Sequence, residues 1–166
     1  MTKLSQSWFN LDHAALHLAP LIWQDWLSNS QSLTQLIEKR TKKSVTIKVL
    51  ADQRQSISVD EQRSFQRPLR RCRVREVYLC IDDTPVVLAR SVLPTSSCTG
   101  INRPLLNIGS TPLGEVLFKK GKAPILARQI TEIPSLGFGR RSLYLLRGHP
   151  ILISEIFLPE LLNKLH

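Results

Sequence analysis

Twice along this chain, two runs of strand-forming residues are separated by only four residues of turn chemistry, and that spacing restricts the fold more than any other feature. Val74 to Ile81 and Val86 to Leu93 flank Asp82-Asp83-Thr84-Pro85, and Ser142 to Leu146 and Ile151 to Leu158 flank Arg147-Gly148-His149-Pro150. A parallel crossover needs about a dozen residues or more, so each pair must form an antiparallel hairpin. Pro94 closes the first hairpin.

The segments around the hairpins read differently. Pro20, Leu21, Ile22, Trp23, Trp26 and Leu27 recur at helical spacing. A polar break from Ser28 to Ser32 follows, where Ser30 or Ser32 can cap a second helix carrying Leu33, Leu36 and Ile37 and ending in the basic Glu38–Lys43 run. Val45, Ile47 and Val49 alternate with polar residues, the period of a half-buried strand. Residues 52–70 are polar and aperiodic, which predicts a long connection with some helix near Asp60-Glu61-Gln62. Between the hairpins, Thr111-Pro112-Leu113 predicts a helix capped by Thr111 with proline in its first position, running through Phe118 to Lys119 and Lys120. Helices followed by an antiparallel sheet with one inserted helix make an α+β fold, a single antiparallel sheet flanked by helices. No repeat or linker divides the 166 residues, so one domain over 1–166 is expected.

Composition removes several function classes. Hydrophobic residues make up 42% of the chain, enough for a core, yet no run approaches the roughly 20 apolar residues that cross a bilayer. Met1 to Phe9 shows neither an apolar stretch nor a small-residue cleavage site, so a cytoplasmic protein is expected. Cys72, Cys80 and Cys98 lack CxxC spacing, and His13, His17, His149 and His166 supply no clustered partners. The cysteines are therefore read as reduced and structural, and no metal is expected. Net charge is +10, with arginines at 63, 67, 70, 71, 73 and 75. Such a field attracts anions of many kinds. Without zinc-finger spacing, an RNP-type strand or a basic dimerising helix, most of these arginines read as a solvated face, and no specific nucleic acid is expected.

Strand phase narrows the choice. Alternate side chains on a strand share a face. Arg75 is in phase with Val77, Leu79 and Ile81; Arg90 with Val86, Leu88 and Val92; Glu155 with Ile151, Ile153 and Phe157. Buried charges are paired or used by a ligand. Arginine grips carboxylates through two parallel hydrogen bonds, and a glutamate among apolar residues is a candidate for proton exchange. Two arrangements satisfy the pattern: an anion-binding cavity, or a buried Arg75–Glu155 ion pair with Arg90 near a sheet end. Trp23, Trp26 and Phe118 read as core, and His149 as an exposed turn residue. Gly137-Phe138-Gly139 precedes a strand instead of a helix, so it is no phosphate loop.

An ordered set of segments resembles the chorismate pyruvate-lyase family: Arg75-Glu76-Val77-Tyr78-Leu79-Cys80, Ala89-Arg90-Ser91-Val92-Leu93-Pro94, Thr111-Pro112-Leu113-Gly114, Gly139-Arg140-Arg141-Ser142 and Ser154-Glu155-Ile156-Phe157-Leu158-Pro159. A fainter likeness spans Asp25-Trp26-Leu27 through Ser32-Leu33-Thr34. The resemblance implies a cofactor-independent lyase that converts chorismate to 4-hydroxybenzoate and pyruvate for ubiquinone synthesis, on a fold whose helices cover an internal ligand pocket. It implies that Arg75 and Arg90 bind carboxylates and that Glu155 faces the ring hydroxyl of the product. Leu113 then lines the ring site and Leu33 lies on a covering flap. Ala89 stands where the family usually has glycine. A monomer is expected. The effector domains of GntR-type regulators share the fold, so the alternative is a non-catalytic sensor of aromatic acids.

Overall fold

Among residues 7–119 and 123–165, which this computed structural model describes, seven strands pair antiparallel throughout into one sheet of order β1-β5-β6-β7-β4-β3-β2. They are β1 (Phe9–Asn10), β2 (Thr46–Ser56), β3 (Arg71–Ile81), β4 (Thr84–Pro94), β5 (Ile125–Ile133), β6 (Gly137–Leu146) and β7 (His149–Phe157). The helices are α1 (His13–Leu18), α2 (Leu21–Ser28), α3 (Leu33–Thr41), α4 (Val59–Ser64) and α5 (Leu113–Phe118), with 3-10 segments at Thr95–Cys98, Gly100–Asn107 and Pro159–Lys164. The expected helix end at Lys120 and the histidine at 166 lie outside the described residues. The α+β reading of the sequence holds: a single antiparallel sheet carries helices on its faces.

Both expected hairpins form, with turns tighter than anticipated. Asp82 and Asp83 (φ 47° and 61°) join β3 to β4, and Arg147 and Gly148 (φ 50° and 83°) join β6 to β7. Two consecutive positive φ values match the right-handed twist of the flanking strands, so Thr84, Pro85, His149 and Pro150 enter the ladders. Gly137 opens β6 at φ 133°, where a Cβ would stand 2.4 Å from the Phe157 carbonyl oxygen. No larger residue fits there.

Local chemistry also sets the helices. Of the two candidate serines, Ser32 caps α3, accepting a hydrogen bond from the Gln35 N–H, and Lys42 ends that helix in the left-handed region (φ 58°). Ser58 and Glu61 form a reciprocal capping box on α4. The start of α5 differs from expectation. Pro112, with an extended ψ of 132°, is itself the cap position, and Thr111 does not cap the helix. The Thr111 carbonyl is instead turned to Arg75 Nη2, 3.2 Å away.

Two stretches depart further from the sequence reading. β2 continues through Ser56, across residues expected to lie in a connection, because it is an edge strand paired with β3 and keeps polar side chains in water. β5, and β6 before Ser142, give no clear strand signal in the sequence, since Arg, Gln, Thr and Glu interrupt their apolar alternation.

Three clusters of buried side chains build the core. Trp23, Trp26, Leu27, Leu33 and Ile37 of α2 and α3 pack on Val77, Leu79, Ala89 and Phe157. Leu105, Leu113 and Leu117 pack with Tyr144, Ile151 and Ile153 at the other end of the same face. Ile57 and Phe65, flanking α4, cover Cys72, Val74, Val92 and Leu152 on the opposite face. All three cysteines are free and buried.

Candidate functional site

Antiparallel register places side chains directly opposite one another on a common face. One row on the helix-covered face runs Asp52, Arg75, Ser91, Ile153, Ser142, Arg128 across β2, β3, β4, β7, β6 and β5. The next row runs Val49, Val77, Ala89, Glu155, Arg140, Ile130. Between these rows and the helices above them lies a pocket. Arg75, Val77, Ala89, Ser91, Arg140, Tyr144 and Glu155 form its floor, and Gln31, Leu33 and Thr34 of the α2–α3 corner and Leu113 and Phe118 of α5 close over it.

Arg75 is 3% exposed. Its Nη1 reaches Asp52 at only 3.4 Å, and Asp52 is held more tightly by Arg73 Nε at 2.6 Å. Arg75 also donates to the Thr111 carbonyl. Burial draws the guanidinium pKa down, Asp52 opposes that fall, and the charge of Arg73 adds to it. Arg75 is therefore a buried cation with half a counter-ion.

Glu155, on β7, lines the same pocket two strands away from Arg75. Arg140, 1% exposed, donates from Nε to Glu155 Oε2 at 2.6 Å and from Nη1 to the carbonyls of Trp26 and Asn29 at 2.9 and 2.6 Å. Tyr144 lines the pocket with its hydroxyl 3.4 Å from Arg128 Nη2, and burial, reinforced by the Glu155 charge, pushes its pKa up. Phe118 meets the Tyr144 ring edge-on and lines the pocket, so its role extends beyond the core position expected of it.

Four of the five sequence-derived site residues thus converge: Leu33, Arg75, Leu113 and Glu155 all line the pocket. Arg90 does not, and this corrects the expectation that it joins them. Its register partner is Glu76, on the opposite face, where Nη1 binds Glu76 at 2.7 Å and Nε and Nη2 bind Glu61 of α4 at 2.6 and 3.2 Å. Strand phase relates residues within one strand, but β4 is apolar on both faces, so phase alone leaves the side undecided. Nor does Arg75 pair with Glu155; each has its own partner. The charges missed at sequence level are Asp52, Arg128 and Arg140. Arg140 was visible inside Gly139-Arg140-Arg141-Ser142, and its face would have followed from a strand extended back to Gly137. Among the described residues, no three His, Cys, Asp or Glu side chains cluster as metal ligands, and no helix is long and apolar enough to cross a membrane.

Among the described residues of this face, leaving aside exposed side chains, the buried and half-buried charges are four arginines (Arg73, Arg75, Arg128 and Arg140) and two carboxylates, Asp52 and Glu155, and Arg128 hydrogen-bonds to neither carboxylate. A pocket floor short of negative charge, under a roof in which Leu33, Leu113 and Phe118 lie beside Gln31 and Thr34, can hold a small anion with an apolar body.

A family model described as chorismate lyase matches residues 5–166. A protein of Alcanivorax borkumensis named probable chorismate pyruvate-lyase is 40% identical, over 91% of this chain and 76% of its own. The chorismate pyruvate-lyase of Photorhabdus laumondii is 31% identical over 96% of this chain and 93% of its own. Among solved structures, the ligand-binding domain of a protein assigned to the GntR family of transcriptional regulators, from Bordetella bronchiseptica, superposes with a TM-score of 0.51. It covers 71% of this chain and 85% of its own at 13% identity, a likeness of fold alone.

Proposed function

The chain belongs to the chorismate lyase family, and on that premise we propose how its pocket eliminates pyruvate from chorismate to leave 4-hydroxybenzoate. The observation that carries the reading is the charge shortfall on the pocket floor, centred on Arg75. Chorismate is a dianion, with one carboxylate on its ring and one on its enolpyruvyl ether. Arg75 takes a carboxylate through paired N–H donors, completing the counter-ion that Asp52 only half supplies. Leu33 and Leu113 then bracket the ring, and the field of Arg140 offsets the second carboxylate.

Glu155 faces the ring hydroxyl. With Arg140 Nε donating to Oε2, the carboxylate is oriented to accept a hydrogen bond from that hydroxyl. In the reaction the ether C–O bond breaks, the hydroxyl-bearing ring carbon gives up its hydrogen as a proton, and the departing enolpyruvate gains a proton on its methylene carbon to become pyruvate. Aromatisation drives the step, so orientation and charge stabilisation are the enzyme's main contributions, without a nucleophile. A sharper hypothesis gives Glu155 a proton to donate to the ether oxygen. Turnover by Glu155→Gln equal to wild type would exclude it.

The wider setting follows from the reaction. A monomeric cytoplasmic enzyme would deliver 4-hydroxybenzoate to quinone synthesis, and the +10 charge would attract nucleic acid only non-specifically. The sensor reading has one observation in its favour, the fold shared with a regulator's ligand-binding domain. Incubation of the purified protein with chorismate separates the two. Equal amounts of 4-hydroxybenzoate and pyruvate are expected, whereas tight binding of an aromatic acid without either product would establish the sensor.

A further inference from the structure

The polar carbonyls at the C-terminal end of α2 are not left to water. The last turn of a helix leaves its carbonyls without intrahelical donors, and cations there are favoured by the helix dipole. Here two guanidinium groups supply the donors. Arg140 binds the Trp26 and Asn29 carbonyls, while Arg128 Nη1 binds the same Asn29 carbonyl at 2.5 Å and lies 3.4 Å from that of Ser28. Arg128 is anchored in turn by Nε on Ser142 Oγ at 2.7 Å. Two residues past Asn29, exposed Gln31 lines the pocket, followed by Leu33 and Thr34. The clasped corner thus leads directly into part of the pocket's roof.

Convergence of two like charges on one carbonyl is costly unless something holds them there. Arg140 has Glu155. Among the described residues no carboxylate hydrogen-bonds to Arg128; its contacts are a serine, a tyrosine hydroxyl and two carbonyls, and the charge of Glu155 offsets burial and the charge of Arg140 only in part. An anion in the adjoining pocket would add the rest of that charge, and would thereby tighten the clasp.

We propose that Arg128 is a positioning residue which, with Arg140, clasps the α2–α3 corner over the pocket and sets how fast a bound aromatic carboxylate leaves. This rests on the lyase reading for the identity of that carboxylate. Arg128 itself does not line the pocket, so it acts through the roof and not through the reacting atoms.

The test compares wild type with Arg128→Gln, Arg128→Lys and Ser142→Ala, each checked for an unchanged melting temperature. Dissociation of 4-hydroxybenzoate is followed by stopped-flow displacement, and conversion of chorismate by single-turnover quench in the same preparations. Loss of a charged hydrogen bond predicts release at least about tenfold faster in Arg128→Gln, with the single-turnover rate at saturating chorismate reduced less than about threefold. Lysine keeps the charge but cannot span Ser142 and Asn29 together, so Arg128→Lys should release product as fast as the glutamine variant. Ser142→Ala, which removes only the anchor, should accelerate release about threefold. Unchanged release in Arg128→Gln, or full rescue by lysine, would overturn the clasp. If wild type makes no 4-hydroxybenzoate yet retains it in an Arg128-dependent way, the catalytic reading fails while the clasp stands. Turnover with release insensitive to Arg128 would overturn the clasp and leave the catalytic reading standing.

Discussion

The two faces of the central sheet use the same residues for opposite ends. On the rear face, one row runs Glu76, Arg90, Ser154, Arg141, Gln129. There α4 lowers Glu61 onto Arg90 and Asp60 onto Arg141, so two arginines meet three carboxylates. On the pocket face the balance is reversed, and Arg75 shares Asp52 with Arg73. Pairing makes the rear arginines structural, because a cation with two carboxylates has little left to offer a ligand. Shortfall makes the front arginines receptive. An inward arginine acquires its role from the count of carboxylates around it, and not from its burial.

Substitutions on the two faces should therefore separate activity from stability. The largest effect should come from Arg75→Ala, with kcat/KM falling about 10²–10³-fold while the melting temperature holds or rises, since a poorly compensated buried cation is removed. Near-normal kinetics would take Arg75 out of the site. Glu155→Gln should cost about 10–100-fold in turnover and some stability, because Arg140 loses its carboxylate partner. On the rear face, Arg90→Met should leave kcat/KM of the folded protein within about threefold of wild type but destabilise it by about 2–3 kcal/mol, as Glu61 and Glu76 lose their cation. A large kinetic loss without destabilisation would instead return Arg90 to the chemistry.

The rear network should also govern acid stability. Burial pushes the Glu61 carboxyl up, but hydrogen bonds from Arg90 and the Ser58 N–H more than offset this and hold its pKa below the ordinary 4.5. Its folded pKa is depressed, so the stability it contributes is complete above 4.5 and is lost as pH falls through the folded value. Melting curves from about pH 6 down to about pH 3 should therefore fall more steeply for wild type than for Glu61→Gln. The smallest effect is expected of Asp52→Asn. Removing the shared carboxylate deepens the shortfall at Arg75 and should lower KM for chorismate about two- to threefold. A raised KM would mean that Asp52 serves to aim Arg75.

Much of this arrangement was legible in the sequence. Short turns between β-rich runs demanded the two hairpins, because chain connectivity admits no other pairing there. Ordered motifs identified the family, and strand phase picked out Arg75 and Glu155, which do line one pocket with Leu33 and Leu113. What the sequence could not supply was anything that depends on a neighbour distant in the chain. β5 and the first half of β6 carry too many polar residues to announce themselves, yet they form because β7 and β1 give them partners. The side taken by Arg90 was open for the same reason: period-2 alternation fixes which residues share a face, but only inter-strand register fixes which faces coincide. Tertiary structure alone decided that Glu76 and Glu61 neutralise Arg90, and that Arg140 lines the pocket floor instead, with Arg128 on the same face reaching the α2–α3 corner. Charge balance at a point is a sum over neighbours, and most of those neighbours are brought there by the fold.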